Sequence, residues 1–91
     1  MKIIMAVCGS GLGSSFMVEM NINDILLAEG LNSEYEGAHN SLADASAEQA
    51  DIFVVAKDLA DSATHLPNLI VLESLIDKDE LKSKLLAKIT K

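Results

Sequence analysis

Arginine and tryptophan are missing from this 91-residue chain, and cysteine and proline each occur once. A formal charge of −7 with no arginine argues against a nucleic-acid partner, because phosphate backbones are held by clustered Lys and Arg. One cysteine excludes an internal disulfide, a C-x-x-C redox pair and a four-cysteine zinc site, and it fits a reducing compartment. With two Phe and one Tyr, the core must be built from Ile, Leu, Val, Ala and Met. No apolar run reaches membrane-spanning length. The stretch from Ile3 to Val7 before Cys8 is too short for a signal-peptide core, and Val7 is larger than the small residue expected before a cleavage site. A cytoplasmic location is expected, which leaves a membrane-bound partner possible.

The residues that are present alternate short apolar runs with longer helical stretches. A hydrophobic share of 49% with 23% charged residues supports a folded domain over a disordered one, and the length suits one domain over residues 1–91. Ile3 to Val7 is a continuous apolar run ending at a glycine cluster, the pattern of a strand buried on both faces. From Ser14 to Glu29 the stripe Val18, Ile22, Ile25 and Leu26 predicts a helix, stopped by Gly30. Ser33 to Ala38 is a weaker strand, suited to an edge. Leu42 to Ala50 reads as a short helix, Ile52 to Ala56 as a buried strand, and Asp58 to Ala63 as a short helix or turn closed by Pro67. Leu69 to Leu72 is a further strand. Asp77 and Glu80 have capping-box spacing before a last helix with the stripe Leu81, Leu85, Ile89. Strands separated by helices predict an α/β fold, a small doubly wound four-stranded parallel sheet flanked by helices. Ligands of such sheets sit beyond the carboxyl ends of the strands, an edge carrying Cys8, the region of His39, and the Lys57-Asp58 and Glu73-Ser74 turns.

The chemistry concentrates in Cys8-Gly9-Ser10-Gly11-Leu12-Gly13-Ser14-Ser15, between the first strand and the first helix. Glycines at alternate positions let successive backbone N–H groups turn inward around an anion, and the helix start adds unpaired N–H groups. Ser10, Ser14 and Ser15 offer hydroxyls, and Ser14 or Ser15 is a candidate helix cap. No charged side chain lies between Lys2 and Glu19, so the loop is a neutral, donor-rich cradle. A phosphoryl group on the Cys8 thiolate would set its oxygens among those donors, which supplies the positioning that phosphoryl transfer requires. The bland alternative is a small buried cysteine ahead of a glycine-rich turn.

Neither the GK[ST] ending of a nucleotide-binding loop nor the G-x-G-x-x-G dinucleotide fingerprint is present after Cys8. A cysteine-dependent phosphatase would carry arginine six residues after its nucleophile, where Ser14 stands, and nothing obvious serves as general acid. A thiophosphate formed here is therefore expected to persist until a suitable acceptor arrives. A carrier is the leading reading, and a non-enzymatic anion-binding regulatory domain and a phosphatase are the alternatives.

A strand ending in Cys-Gly-x-Gly-x-Gly-Ser-Ser and followed by Phe16-Met17-Val18-Glu19-Met20 resembles the IIB components of the bacterial sugar phosphotransferase system. The likeness is nearest to the ascorbate branch, with the lactose and galactitol branches as relatives, and it is strongest from Lys2 to Asn23. It implies a Rossmann-like fold with a phosphate loop of the low-molecular-weight tyrosine phosphatase type. It implies that Cys8 accepts phosphate from a phosphohistidine on a IIA partner and passes it to a sugar bound by a membrane IIC permease. Gly9, Ser10, Gly11, Leu12, Gly13, Ser14 and Ser15 take the phosphate-binding role. No metal or organic cofactor is implied, the IIA and IIC partners are expected as separate polypeptides, and the protein is expected to associate peripherally with the permease.

Other residues attract a functional reading beside a plainer one. His39 could steady the phosphate but reads more simply as a solvated loop histidine, and His65 as an ordinary loop residue. Lys57 could attract the phosphoryl group or pair with Asp58 or Asp61. Met17 and Met20 could dock partners, although core packing is the default, kept here for Met20.

Overall fold

A computed structural model describes residues 1–9 and 13–89. Its elements are β1 (Lys2–Cys8), α1 (Gly13–Ala28), β2 (Tyr35–Ser41), β3 (Ile52–Ala56), β4 (Leu69–Leu72) and α2 (Lys78–Ile89), with 3-10 helices at Ala47–Gln49 and Lys57–Ser62. Among the described residues the sheet has four strands in the order β2-β1-β3-β4, all parallel. The α/β architecture expected from the sequence is the one observed.

Alternation along the strands splits the core into two layers. Ile4 and Ala6 of β1, Ile52 and Val54 of β3, and Ile70 and Leu72 of β4 face the side covered by α1 and α2. Met5 and Val7, with Phe53 and Val55, face the side covered by the connections around Ala45, Leu59, Ala63 and Leu66. The link from β1 to β2 crosses the first face, and the links from β2 to β3 and from β3 to β4 run the other way across the second. All three crossovers therefore share one hand, as right-handed βαβ units require. The direction reverses between β1 and β3, which puts the switch point beside Cys8.

The stripe expected on α1 is the one that packs: Val18, Ile22, Ile25 and Leu26 are all buried, each contributing about 1.5–3 kcal/mol. The stop is also as expected. Gly30 takes φ +72°, its N–H bonds Leu27 O at 3.2 Å, and the Leu31 N–H bonds Leu26 O at 2.8 Å. This is a Schellman closure, with Leu31 packed against the core that holds Leu26. The next turn, in which the Glu34 and Tyr35 N–H groups both bond Leu31 O, delays β2 to Tyr35, beyond the expected Ser33 start. The edge position of β2 is confirmed.

The helix expected over Leu42 to Ala50 is not there. The Asp44 and Ala45 N–H groups both turn back to Ser41 O, and the Ser41 hydroxyl donates to Asp44. Ser46 is extended at φ −135°, and only Ala47–Gln49 is helical, as a 3-10 turn. Polar side chains that bond nearby groups offer the backbone an alternative to the helix, and Ser41, Asp44 and Gln49 do so here.

Both sheet edges carry a helix side chain on an outward backbone group. Asn23 of α1 accepts from the Gly37 N–H of β2 at 2.9 Å, and Lys84 of α2 donates to Val71 O of β4 at 2.7 Å. A Cβ added at Gly37 would come within 3.0 Å of Asn23 Oδ1 and 3.1 Å of Glu19 O, so glycine is what allows α1 to lie this close to the edge strand.

Candidate functional site

β1 is bonded on both sides, to β2 and β3, and ends at Cys8, which lies opposite Ser41. The Cys8 carbonyl accepts the Leu42 N–H at 2.7 Å, which ties the strand end to the neighbouring chain. Cys8 has the same parity as Ile4 and Ala6, so its side chain goes to the α1 side. It is 5% exposed. Its thiol donates to the Ser15 hydroxyl at 3.2 Å, and Ser15 is itself 2% exposed.

α1 opens at Gly13, so Ser14 and Ser15 lie inside its first turn and neither is the cap expected from the sequence. Ser14 is exposed. The first turn of α1 contains no acidic residue, so the partial positive charge of this helix start, about half a unit, meets no carboxylate within the turn. Gly9 is exposed, and a Cβ there would make an ordinary 3.4 Å contact with Leu59. Among the described residues the only glycine with positive φ is Gly30, so the unusual dihedrals expected of the loop are not used at Gly9. Ser10, Gly11 and Leu12 lie outside the described residues.

Cys8, Gly9 and Ser14 line an open depression together with Ala56, Asp58, Leu59 and Leu75. This is the switch-point crevice between the ends of β1 and β3, where parallel sheets bind ligands. Sequence reasoning placed the Lys57-Asp58 and Glu73-Ser74 turns on this edge but did not single out Asp58, Leu59 or Leu75. The signal available was position alone, two residues beyond the end of one apolar run and three beyond another.

The β4–α2 connection that carries Leu75 is held by one carboxylate. Glu80 accepts the Glu73 N–H at 2.7 Å and the Ser74 N–H at 3.1 Å, and Lys84 donates to it at 2.7 Å. These donors, the Glu73 N–H first and Lys84 next, bring the Glu80 carboxyl down to about 2. The expected capping box is half formed: Asp77 accepts the Glu80 N–H at 3.0 Å, while the Glu80 side chain serves the preceding connection.

The other tempting residues are elsewhere engaged. His39 sits within β2, opposite Ala6, half-buried, with Nδ1 on Glu19 and its ring edge-on to Phe16 at 5.5 Å. It is not a loop histidine. Lys57 pairs with Glu73 at 3.3 Å, both side chains exposed, instead of with Asp58 or Asp61. His65 is exposed in the turn before β4. Met20 is 52% exposed, against the core role expected of it, and Phe16 and Met17 beside it are also exposed.

Among the described residues no helix is long and apolar enough to cross a membrane. No curated protein matches the chain in sequence. A family model described as PTS system, Lactose/Cellobiose specific IIB subunit matches residues 3–86, nearly the whole length, and the chain belongs to that family of phosphotransferase-system IIB proteins.

Proposed function

We propose that Cys8 is the residue on which this IIB protein carries its phosphoryl group. Membership of the family supports a phosphoryl-carrier role in a sugar phosphotransferase system, working with IIA and IIC partners. The observation that carries the choice of residue is the position of the Cys8 sulfur, at the switch point, beside a helix start whose first turn is free of acidic side chains. A dianion there gains from the N–H groups of α1 without displacing a carboxylate. Gly9, Gly13 and Ser14, with Ser10, Gly11 and Leu12 between them, form the proposed phosphate loop, and Ser15 stands against the sulfur.

In the loading step the sulfur attacks the phosphorus of a IIA phosphohistidine. The N–P bond breaks with its electron pair staying on nitrogen, the S–P bond forms, and the thiol proton ends on the released imidazole. In the delivery step a sugar hydroxyl attacks the same phosphorus, the S–P pair returns to sulfur, and the hydroxyl proton leaves to a base at the acceptor. In-line positioning and stabilisation of the equatorial oxygens are what the loop supplies. The sugar proposed is ascorbate, on the likeness of the Cys8–Ser15 loop and of Phe16-Met17 to that branch. Action in the cytoplasm, with transient docking to the membrane permease, belongs to the same proposal.

The test is intact mass after incubation with phosphoenolpyruvate, the general phosphotransferase proteins and IIA proteins of the ascorbate and lactose branches in parallel. One phosphoryl adduct on the wild type and none on Cys8→Ser is expected, with the ascorbate IIA the faster donor. No adduct from any active IIA would overturn the carrier assignment of Cys8, and faster loading by the lactose IIA would overturn ascorbate alone.

A further inference from the structure

Among the described residues, Asp58 is the one charged group lining the depression that holds Cys8, Gly9 and Ser14. Its carboxylate is not spent on the fold. Lys57, its neighbour in sequence, turns away to Glu73 at 3.3 Å, and the described residues bring no hydrogen bond or ion pair to Asp58. It stands in the first turn of the 3-10 helix Lys57–Ser62, whose start has no side-chain cap. A carboxylate here opposes the very dianion that the neutral Cys8 loop is suited to receive. Its position gives the reason for keeping it. The parallel register that pairs Ala6 with Val54 brings Cys8 level with Ala56, the last residue of β3. Asp58 follows two residues later, exposed, past the end of the sheet and on the solvent side of the sulfur.

We propose that Asp58 is a catalytic residue of the delivery step: it is the base that stands at the acceptor and takes the proton of the attacking hydroxyl. This rests on the carrier reading of Cys8 and deepens it. In-line attack puts the acceptor oxygen on the far side of phosphorus from sulfur, which is the mouth of the depression, where Asp58 stands. The hydroxyl oxygen bonds to phosphorus, and the S–P bond breaks with its electron pair returning to Sγ. The hydroxyl proton passes to a carboxylate oxygen of Asp58, which then yields it to solvent. A carboxylate beside a hydroxyl nucleophile orients the oxygen as well as accepting its proton. Loading makes no such demand, since the thiol proton ends on the imidazole released from IIA. The charge that weakens the loaded state is therefore the one that serves its discharge.

The experiment needs no permease. Wild type, Asp58→Asn and Asp58→Glu are loaded by IIA, the donor is removed, and loss of the phosphoryl adduct is followed by intact mass, in buffer alone and with added imidazole. Water must give up a proton as it attacks, whereas a neutral imidazole attacks through a nitrogen lone pair that carries none. Asp58→Asn is expected to lose its phosphoryl group to water about 100-fold more slowly than wild type. Its transfer to imidazole should change by no more than about threefold, the part due to charge alone. Asp58→Glu keeps a carboxylate and should recover most of the rate toward water. Asp58→Ser removes the same carboxylate and is read in the same way if the asparagine variant does not fold. A rate toward water that is unchanged, or that falls equally toward water and imidazole, overturns the proposal, as does a folded asparagine variant that takes no phosphoryl group from active IIA. If the wild type itself takes no phosphoryl group, the carrier reading of Cys8 fails, a separate result from any difference between variants.

Discussion

Both long helices begin at the carboxyl edge of the sheet, and their first turns are furnished in opposite ways. α2 fills its own N-terminus: Asp77 caps the Glu80 N–H, Asp79 and Glu80 stand in the first turn, and Glu80 reaches back to two N–H groups of the preceding connection. α1 has no acidic residue in its first turn, and its first carboxylate, Glu19, is engaged with His39 farther along. Acidic side chains near a helix start are favourable, so an anion arriving at α2 would compete with carboxylates already there. At α1 it would not. In a chain of charge −7, the uncharged helix start is the informative one.

The comparison breaks most completely if α1 is made to resemble α2. Ser14→Glu places a carboxylate in the first turn beside the depression. Phosphoryl loading from IIA is expected to fall by about 100-fold, read as adduct formed per unit time, while thermal stability holds or rises by about 0.3–1 kcal/mol. A variant that loads at the wild-type rate would show that the charge of this helix start is irrelevant to the anion.

Emptying α2 sharpens the contrast from the other side. The Glu80 carboxyl titrates lower in the folded protein than in the unfolded chain, so its stabilising effect is complete above the unfolded value, about 4.5, and is lost as pH falls toward about 2. Glu80→Gln should be less stable than wild type at pH 6, and the gap should close as urea melts are repeated at pH 4, 3 and 2. A constant gap over that window would mean that the carboxylate's charge is not what holds the connection.

Smaller effects are expected from the neighbours. Asp58 lines the same depression as Cys8, and among the described residues it is the one carboxylate there. Asp58→Asn should raise the equilibrium share of phosphocysteine against IIA by about threefold, since one repulsion between exposed charges is removed. Lys57→Ala breaks only an exposed pair with Glu73 and should shift stability by less than about 0.5 kcal/mol in a chemical melt.

What the sequence made legible was whatever rests on periodicity or on glycine. The α1 stripe, the Gly30 stop, the buried runs and the Cys8 end of β1 all follow from local rules that tertiary contacts reinforce. Leu42 to Ala50 failed because its Ala-rich composition favours a helix while Ser41, Asp44, Ser46 and Gln49 close turns on one another. His39 failed for a different reason, since β2 runs to Ser41, three residues past the expected end, and so takes the histidine into the sheet. The site's walls, Asp58 and Leu59 after β3 and Leu75 after β4, come to Cys8 from two other connections that only the strand order brings beside it. A one-dimensional pattern carries no record of that order.

The two side chains on the sheet edges bear on how such a protein avoids pairing strand to strand with copies of itself. A carrier must meet donor and acceptor repeatedly without adhering to copies of itself, and a parallel sheet with two open margins is a template for edge-to-edge growth into fibrils. With Asn23 on Gly37 and Lys84 on Val71, an incoming strand must first evict a helix side chain from each margin, and at β4 it meets an ammonium group.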